Sequence, residues 1–334
     1  MLPTLAELRP VLKPFQHSST KRALVQLANS LFPYFALWAL MILSLHDPYI
    51  ITFGLAIIAA GFLVRIFIIF HDCGHNSFFP TIKMNKNIGF WLGVLTFTPS
   101  QQWWHSHAIH HATSSNLDRR GIGDVTTMTV KEYLESPWWT RLGYRLFRNP
   151  IIMLGFGPIF MFLIKNRFAS PRFGKKETRS VIWSNLAILG IAASLSLTIG
   201  LPAYLKIHLP VILLAGAFGI WLFFVQHQFE GVYWSRSKNW NYIASALKGA
   251  SYYKLPKVLQ WFSGNIGFHH IHHLNPGIPN YFLERCYREN PVLQRQAKII
   301  PFLKGFTTLK LSLWDEEAAQ MIGFTGLQKY RQAG

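Results

Sequence analysis

Four stretches of this chain stay apolar for the thickness of a lipid bilayer, which restricts the fold more than any other feature. They run roughly over residues 24–45, 51–70, 181–200 and 203–224. A helix needs about 20 apolar residues to cross the hydrocarbon core. The first two are separated only by residues 46–49, and the second two only by the region of Leu201 and Pro202. Each pair therefore reads as a transmembrane helical hairpin. Composition agrees: 50% of the 334 residues are hydrophobic and 14% are charged, where a soluble domain carries about a quarter. These values exclude a pair of soluble domains.

The formal net charge of +19 invites a nucleic-acid reading, but its distribution argues against one. The hairpin turns are nearly free of cations, Lys206 being the exception. Apart from Arg65, the remaining Lys and Arg fall in segments 1–22, 71–179 and 226–334. That is the positive-inside pattern, and it places these three segments in the cytoplasm. Arg65, near a helix end, is expected to snorkel or to pair internally. A basic face of this kind attracts anionic lipid head groups and acidic proteins. Residues 1–19 lack the basic start, apolar core and cleavage site of a secretory leader. The two cysteines, Cys73 and Cys286, cannot make a disulfide framework and are expected to be small buried residues.

Two shorter apolar runs, Ile88 to Phe97 and Ile151 to Ile164, are expected to be interfacial or half-inserted helices. The second, as a helix rising 1.5 Å per residue, reaches only about 21 Å. If either crossed alone, the histidines that follow would change sides. Tyr133 to Pro150 and Leu255 to Phe262 mix aromatic and basic residues and suit helices lying in the membrane interface. No internal repeat or flexible linker is visible. The expectation is an all-α integral membrane protein forming one domain over residues 1–334. Its four transmembrane helices make two hairpins, under a cytoplasmic helical cap.

Eleven of the fourteen histidines sit close to these apolar runs. His71 and His75 are four apart and share a helix face. His107, His110 and His111 stand at i, i+3 and i+4, with His105 two residues earlier and pointing away. In His269-His270-Ile271-His272-His273, His269 can pair with His272 and His273, while His270 can pair only with His273. His227 stands alone in Gln226-His227-Gln228. Imidazole suits iron, zinc and copper. Eight or more ligands exceed what one ion takes, so a two-metal site is expected in the cap. Acidic neighbours that could orient the imidazoles are Asp72, Asp118, Asp124 and Glu230; Asn265, four before His269, could bond a metal-bound water.

The chain resembles the membrane fatty acid desaturase family, whose boxes read HxxxH, HxxHH and HxxHH. The likeness extends through "FHDCGHNSFF", "HSHAIHHATSSNLDRRGIGD", "VQHQFEGVYW" and "YYKLPKVLQWFSGNIGFHHIHHLNPGIPNY", and covers about residues 25 to 315. Within the family it resembles bacterial acyl-lipid desaturases of the Bacillus type. The resemblance implies the ligands His71, His75, His107, His110, His111, His269, His272 and His273, with His227 as a ninth. His105 and His270 fall outside the pattern, as substrate-facing, ligand-orienting or structural residues. It implies two iron ions, dioxygen as co-substrate, and a cis double bond made in an acyl chain of membrane phospholipid, with Δ5 as first choice. It also implies a bacterial plasma membrane with the site on the cytoplasmic side.

An unactivated C–H bond has no acidic proton, so acid–base side chains alone cannot break it. No GxGxxG or CxxCH motif is present, so two electrons must come from a separate protein, ferredoxin or flavodoxin. Arg119, Arg120, Arg141, Arg145 and Arg148 are candidate contacts for that donor or for lipid phosphate. Two other classes compete: a di-iron membrane hydroxylase of alkanes or carotenoids, and a histidine-rich metal transporter. A transporter would place its ligands near the bilayer midplane, whereas here they cluster at the helix ends. The oligomeric state is not fixed by the sequence.

Overall fold

The computed structural model describes residues 2–331. It is mostly helical. After a short N-terminal helix, α1 (Leu5–Leu12), come α2 (Thr20–Leu43) and α3 (Tyr49–Gly74), then α4 (Ile82–Leu95) and α5 (Ser100–Thr113). Next are α6 (Val130–Glu135), α7 (Trp138–Phe147), α8 (Lys175–Ile199) and α9 (Leu201–His227). The C-terminal part carries α10 (Tyr242–Lys248), α11 (Lys257–Phe262), α12 (His269–Leu274) and α13 (Asn280–Glu289). Five short strands stand beside the helices. β1 (Met128–Thr129), β4 (Leu313–Asp315) and β5 (Gln320–Ile322) form one sheet, and β2 (Tyr252–Lys254) pairs with β3 (Ile299–Pro301).

α2, α3, α8 and α9 are the four helices long and apolar enough to cross a membrane. Polar starts explain why α2 and α8 outrun the apolar stretches. The Ser19 hydroxyl accepts from the Arg22 N–H and so caps α2. Glu177 in the first turn of α8 bonds back to the Gly174 N–H. α3 and α9 run past residues 70 and 224, so that His71 lies in the last turn of α3 and His227 is the last residue of α9. Ala56, Ala59 and Ala60 of α3 are fully buried beside Ile207, Val211 and Ala215 of α9. Small residues let two such helices approach closely where lipid offers no hydrophobic drive. The opposite faces stay exposed: Phe32, Ile50, Leu189 and Leu197 point outward. Tyr49 donates to the Lys206 carbonyl, so both hairpin turns lie at the same end. Arg65 is buried; its guanidinium lies over the Trp261 ring and donates to the Trp261 carbonyl. Cys73 and Cys286 are free and buried.

α4 and α5 form a third, shorter hairpin, each helix about 21 Å long. Its turn forces Phe97 to a φ of +54°. Gly93 is required there: a Cβ on it would stand 2.5 Å from the Thr98 carbonyl oxygen. The Ile151 to Ile164 stretch is not one regular helix. It forms two wider π-helical stretches, Ile152–Phe156 and Ile159–Ile164, either side of Pro158, which has no N–H to give. With α7 it makes a pair bent by 68°, a broken span or a re-entrant loop.

Candidate metal centre

Four helix ends meet at the end of the molecule opposite the hairpin turns. α3 delivers His71 and, at its C-cap, His75; α5 delivers His107, His110 and His111; α12 delivers His269, His272 and His273; α9 ends on His227. The nine side chains sort into two groups. One holds His71, His75, His107, His111 and His272; the other holds His110, His227, His269 and His273. Within each group one ring nitrogen per residue lies within 4.8 Å of all the others.

Helical spacing explains the division. The three histidines of the second box do not converge on one side, as spacing alone suggested. The i, i+4 pair His107 and His111 faces the first group, while His110, rotated away from that pair, faces the second. On α12 the split is reversed: His269 and His273 join the second group and His272 the first. The two groups abut, since the His111 and His273 rings stack at 4.2 Å.

Nitrogen spacing tests whether this donor set fits metal ions. Four Nε2–Nε2 separations, all within a group, are 2.9 Å (His227–His269), 3.0 Å (His111–His272), 3.1 Å (His107–His111) and 3.2 Å (His110–His227). Two imidazole nitrogens bound at right angles to one ion at about 2.1 Å stand about 3.0 Å apart, against about 3.4 Å at a tetrahedral angle. The buried nitrogens His75 Nε2 and His273 Nε2 have no hydrogen-bond partner. Unpaired buried polar atoms are costly, and an ion in each group would satisfy them. Burial pushes the pKa of His75, His107, His111, His269, His272 and His273 well below the usual imidazole value, and their like neighbours push it further. Each is thus neutral, the form that binds metal.

Three outer contacts fix ring orientation. His71 Nδ1–H donates to Asp72 at 2.9 Å and His110 Nδ1–H to Asp124 at 2.5 Å. His227 Nδ1–H donates to the Gly249 carbonyl at 3.3 Å. In each case Nε2 is left to face inward. Asp72 is held in turn by the Asn280 N–H and side-chain amide, at 2.7 and 2.8 Å. Trp103 stacks on His107 at 4.5 Å. Asn280 and the Gly249 carbonyl were not among the residues singled out from sequence. Asn280 lies in the quoted "PGIPNY", but nothing in spacing links it to Asp72, 208 positions away.

The other candidates lie elsewhere. Asp118 binds Arg236 and the Ser237 N–H at the surface. Glu230 is exposed and belongs to neither group. The Asn265 amide accepts from Gln260 and donates to the Asn280 carbonyl, reaching Asp72 only through Asn280. His105 is half exposed, stacks on Phe173 and pairs with Glu177 at 3.0 Å. His270 is fully buried against Tyr252 and Tyr287, outside both groups, and burial lowers its pKa to about 3. Of the arginines proposed for docking, Arg148 is 4% exposed and holds Gln228 and the Leu311 carbonyl. Arg120 pairs with Glu132, and Arg145 donates to the Tyr133 hydroxyl. Those three bind within the protein, leaving Arg119 and Arg141 as the freer ones.

The chain was compared with known proteins. A family model described as fatty acid desaturase matches residues 48–298. A fatty acid desaturase of Bacillus subtilis (strain 168) is 48% identical over 94% of this chain and 89% of its own length. An endoplasmic-reticulum omega-3 fatty acid desaturase of Vigna radiata is 29% identical over 65% of this chain and 59% of its own. An sn-1 acyl-lipid omega-3 desaturase (ferredoxin) of Synechocystis is 28% identical over 66% and 62%. Four bilayer-length helices, two histidine groups and these matches converge: the chain belongs to the membrane fatty acid desaturase family, and it is an oxidoreductase.

Proposed function

We propose that the enzyme introduces one cis double bond into an acyl chain of membrane phospholipid, with two iron ions held by the nine histidines. His71, His75, His107, His111 and His272 would hold one iron; His110, His227, His269 and His273 the other. The observation that carries this reading is the convergence of nine imidazoles, and no carboxylate, into two adjoining groups. Their near-right-angle spacing suits a six-coordinate ion better than tetrahedral zinc.

The reaction takes two hydrogens from the chain. One acyl –CH2–CH2– unit, O2, two electrons and two protons give –CH=CH– and two waters. When bound, the metal pair supplies the oxidising power that an unactivated C–H bond demands. The protein supplies orientation and exclusion. Asp72, Asp124 and the Gly249 carbonyl hold three rings in the tautomer that turns Nε2 inward. Their two carboxylates also offset part of the charge that two dications bring into a buried site. Trp103, stacked on His107, covers one side of the first group and keeps water from that ring.

We further propose that segments 1–22, 71–179 and 226–334 are cytoplasmic, on the charge asymmetry, and that the membrane is the bacterial plasma membrane. The electron donor would be ferredoxin or flavodoxin, acidic proteins suited to a chain of net charge +19. The word ferredoxin in the Synechocystis relative's name points the same way. Δ5 placement follows from the resemblance to Bacillus-type enzymes. Expression in a host without desaturases, followed by mass spectrometry of the phospholipid acyl chains, tests the reaction and the position of the double bond. A double bond between carbons 5 and 6 supports the reading. A hydroxylated chain would favour the hydroxylase, and a double bond elsewhere would correct the position alone.

A further inference from the structure

Away from the histidines, α4, α5 and α8 enclose a groove of about 570 Å³ that opens to the surface. Its two long walls have the same order of chemistry. On α8, Lys176 and Arg179 come first, Trp183 one turn later, and Leu186 and Ala187 beyond. On α4, Lys86 comes first, followed one turn later by Phe90 and Trp91. Lys86, Lys176 and Arg179 are exposed, and among the described residues none of them makes an ion pair. No acidic residue lines the groove. Glu177, the one carboxylate nearby in sequence, is turned away onto His105 and the Gly174 N–H.

Three unpaired cations on two helices, with an apolar path beneath them, match a molecule with an anionic head and hydrocarbon tails. Trp91 and Trp183 are 59% and 60% exposed, between the cations and the apolar residues. That is where tryptophan sits at a membrane–water interface. A soluble anion would use the cations but leave the aromatic and aliphatic walls uncovered. A zwitterionic lipid would cover the walls but bring a cation of its own to a site already bearing three.

We propose that this groove binds one anionic phospholipid, its phosphate held by Lys86, Lys176 and Arg179 and its acyl chains laid along Trp91, Trp183 and Leu186. The site stands on the groove alone and does not depend on the reaction proposed above.

Native mass spectrometry of the detergent-purified full chain tests this, with phosphatidylglycerol and phosphatidylcholine of identical chains as probes and inorganic phosphate as competitor. The expected result is one retained phosphatidylglycerol, bound at least tenfold more tightly than phosphatidylcholine and not displaced by millimolar phosphate. The triple variant K86Q/K176Q/R179Q should lose that preference. A control of equal charge loss at exposed lysines elsewhere, K13Q/K238Q/K304Q, should keep it. If the triple variant does not fold, the single variants K176Q and R179Q replace it, each expected to weaken phosphatidylglycerol about threefold. Equal binding of both lipids, displacement by phosphate, or an unchanged preference in the groove variants would overturn the proposal.

Discussion

At the scale of the residue, the site separates ligands from the groups that aim them. Asp124 lies outside both histidine groups and holds one nitrogen of His110 so that the other faces inward. Removing such an outer partner costs about 10–100-fold in metal affinity. Asp124→Ala should therefore lose iron on dialysis against a chelator that leaves the parent loaded. Asp118→Ala and Glu230→Ala should behave as the parent, because Asp118 is engaged with Arg236 and Glu230 is exposed and in neither group. Among the histidines, replacing His107, His110, His111, His269, His272 or His273 by Ala should abolish turnover. His105→Ala, on a half-exposed ring paired with Glu177, should not. If Asp118→Ala sheds iron while Asp124→Ala keeps it, the assignment of the orienting carboxylates is wrong.

Elements bring these residues together, and backbone fit decides whether they can. The α4–α5 hairpin sets the height of the second box. Gly93→Ala would press a methyl against the Thr98 carbonyl oxygen, which belongs to the turn itself and cannot swing aside. Overpacking of this kind costs about 1–3 kcal/mol, so the variant should melt earlier in detergent. Gly190→Ala in α8, where a Cβ meets nothing within 4 Å, should melt no earlier than the parent. A second consequence concerns the hairpins. Both turns lie at one end and the histidines at the other, so single cysteines at Asp47 and Leu201 should react with a membrane-impermeant reagent from outside. Cysteines at Arg119 and Lys238 should react only after the membrane is opened; all four positions are exposed. Native Cys73 and Cys286 are buried and should stay silent. Outside labelling at Arg119 would contradict the orientation.

For the whole molecule, sequence and structure agree where the signal was periodic and part where it was not. Four apolar runs and the i, i+4 spacing of histidines are local patterns, and they reappear as helices and as pairs of rings that share a group. The partition of nine histidines between two groups was not legible, because it depends on how α5 and α12 are rotated against each other. Nor was the link from Asp72 to Asn280, made across 208 positions by packing α13 against the end of α3. Asn265 reaches Asp72 only through Asn280, and Glu230 is exposed. Arg148 reads as a docking cation because it lies in a strongly basic segment; it is in fact drawn in by Gln228 and by the Tyr144 and Phe224 rings. The Ile151 to Ile164 run is apolar enough for a helix, but Pro158 breaks its regular turn. The central claim, two metal ions on nine histidines, is tested most directly by the iron-to-protein ratio of the purified, active enzyme. The account predicts two irons per chain, with His227→Ala and His272→Ala each below that value. One iron per chain, or a tightly held zinc in an enzyme that still desaturates, would contradict it.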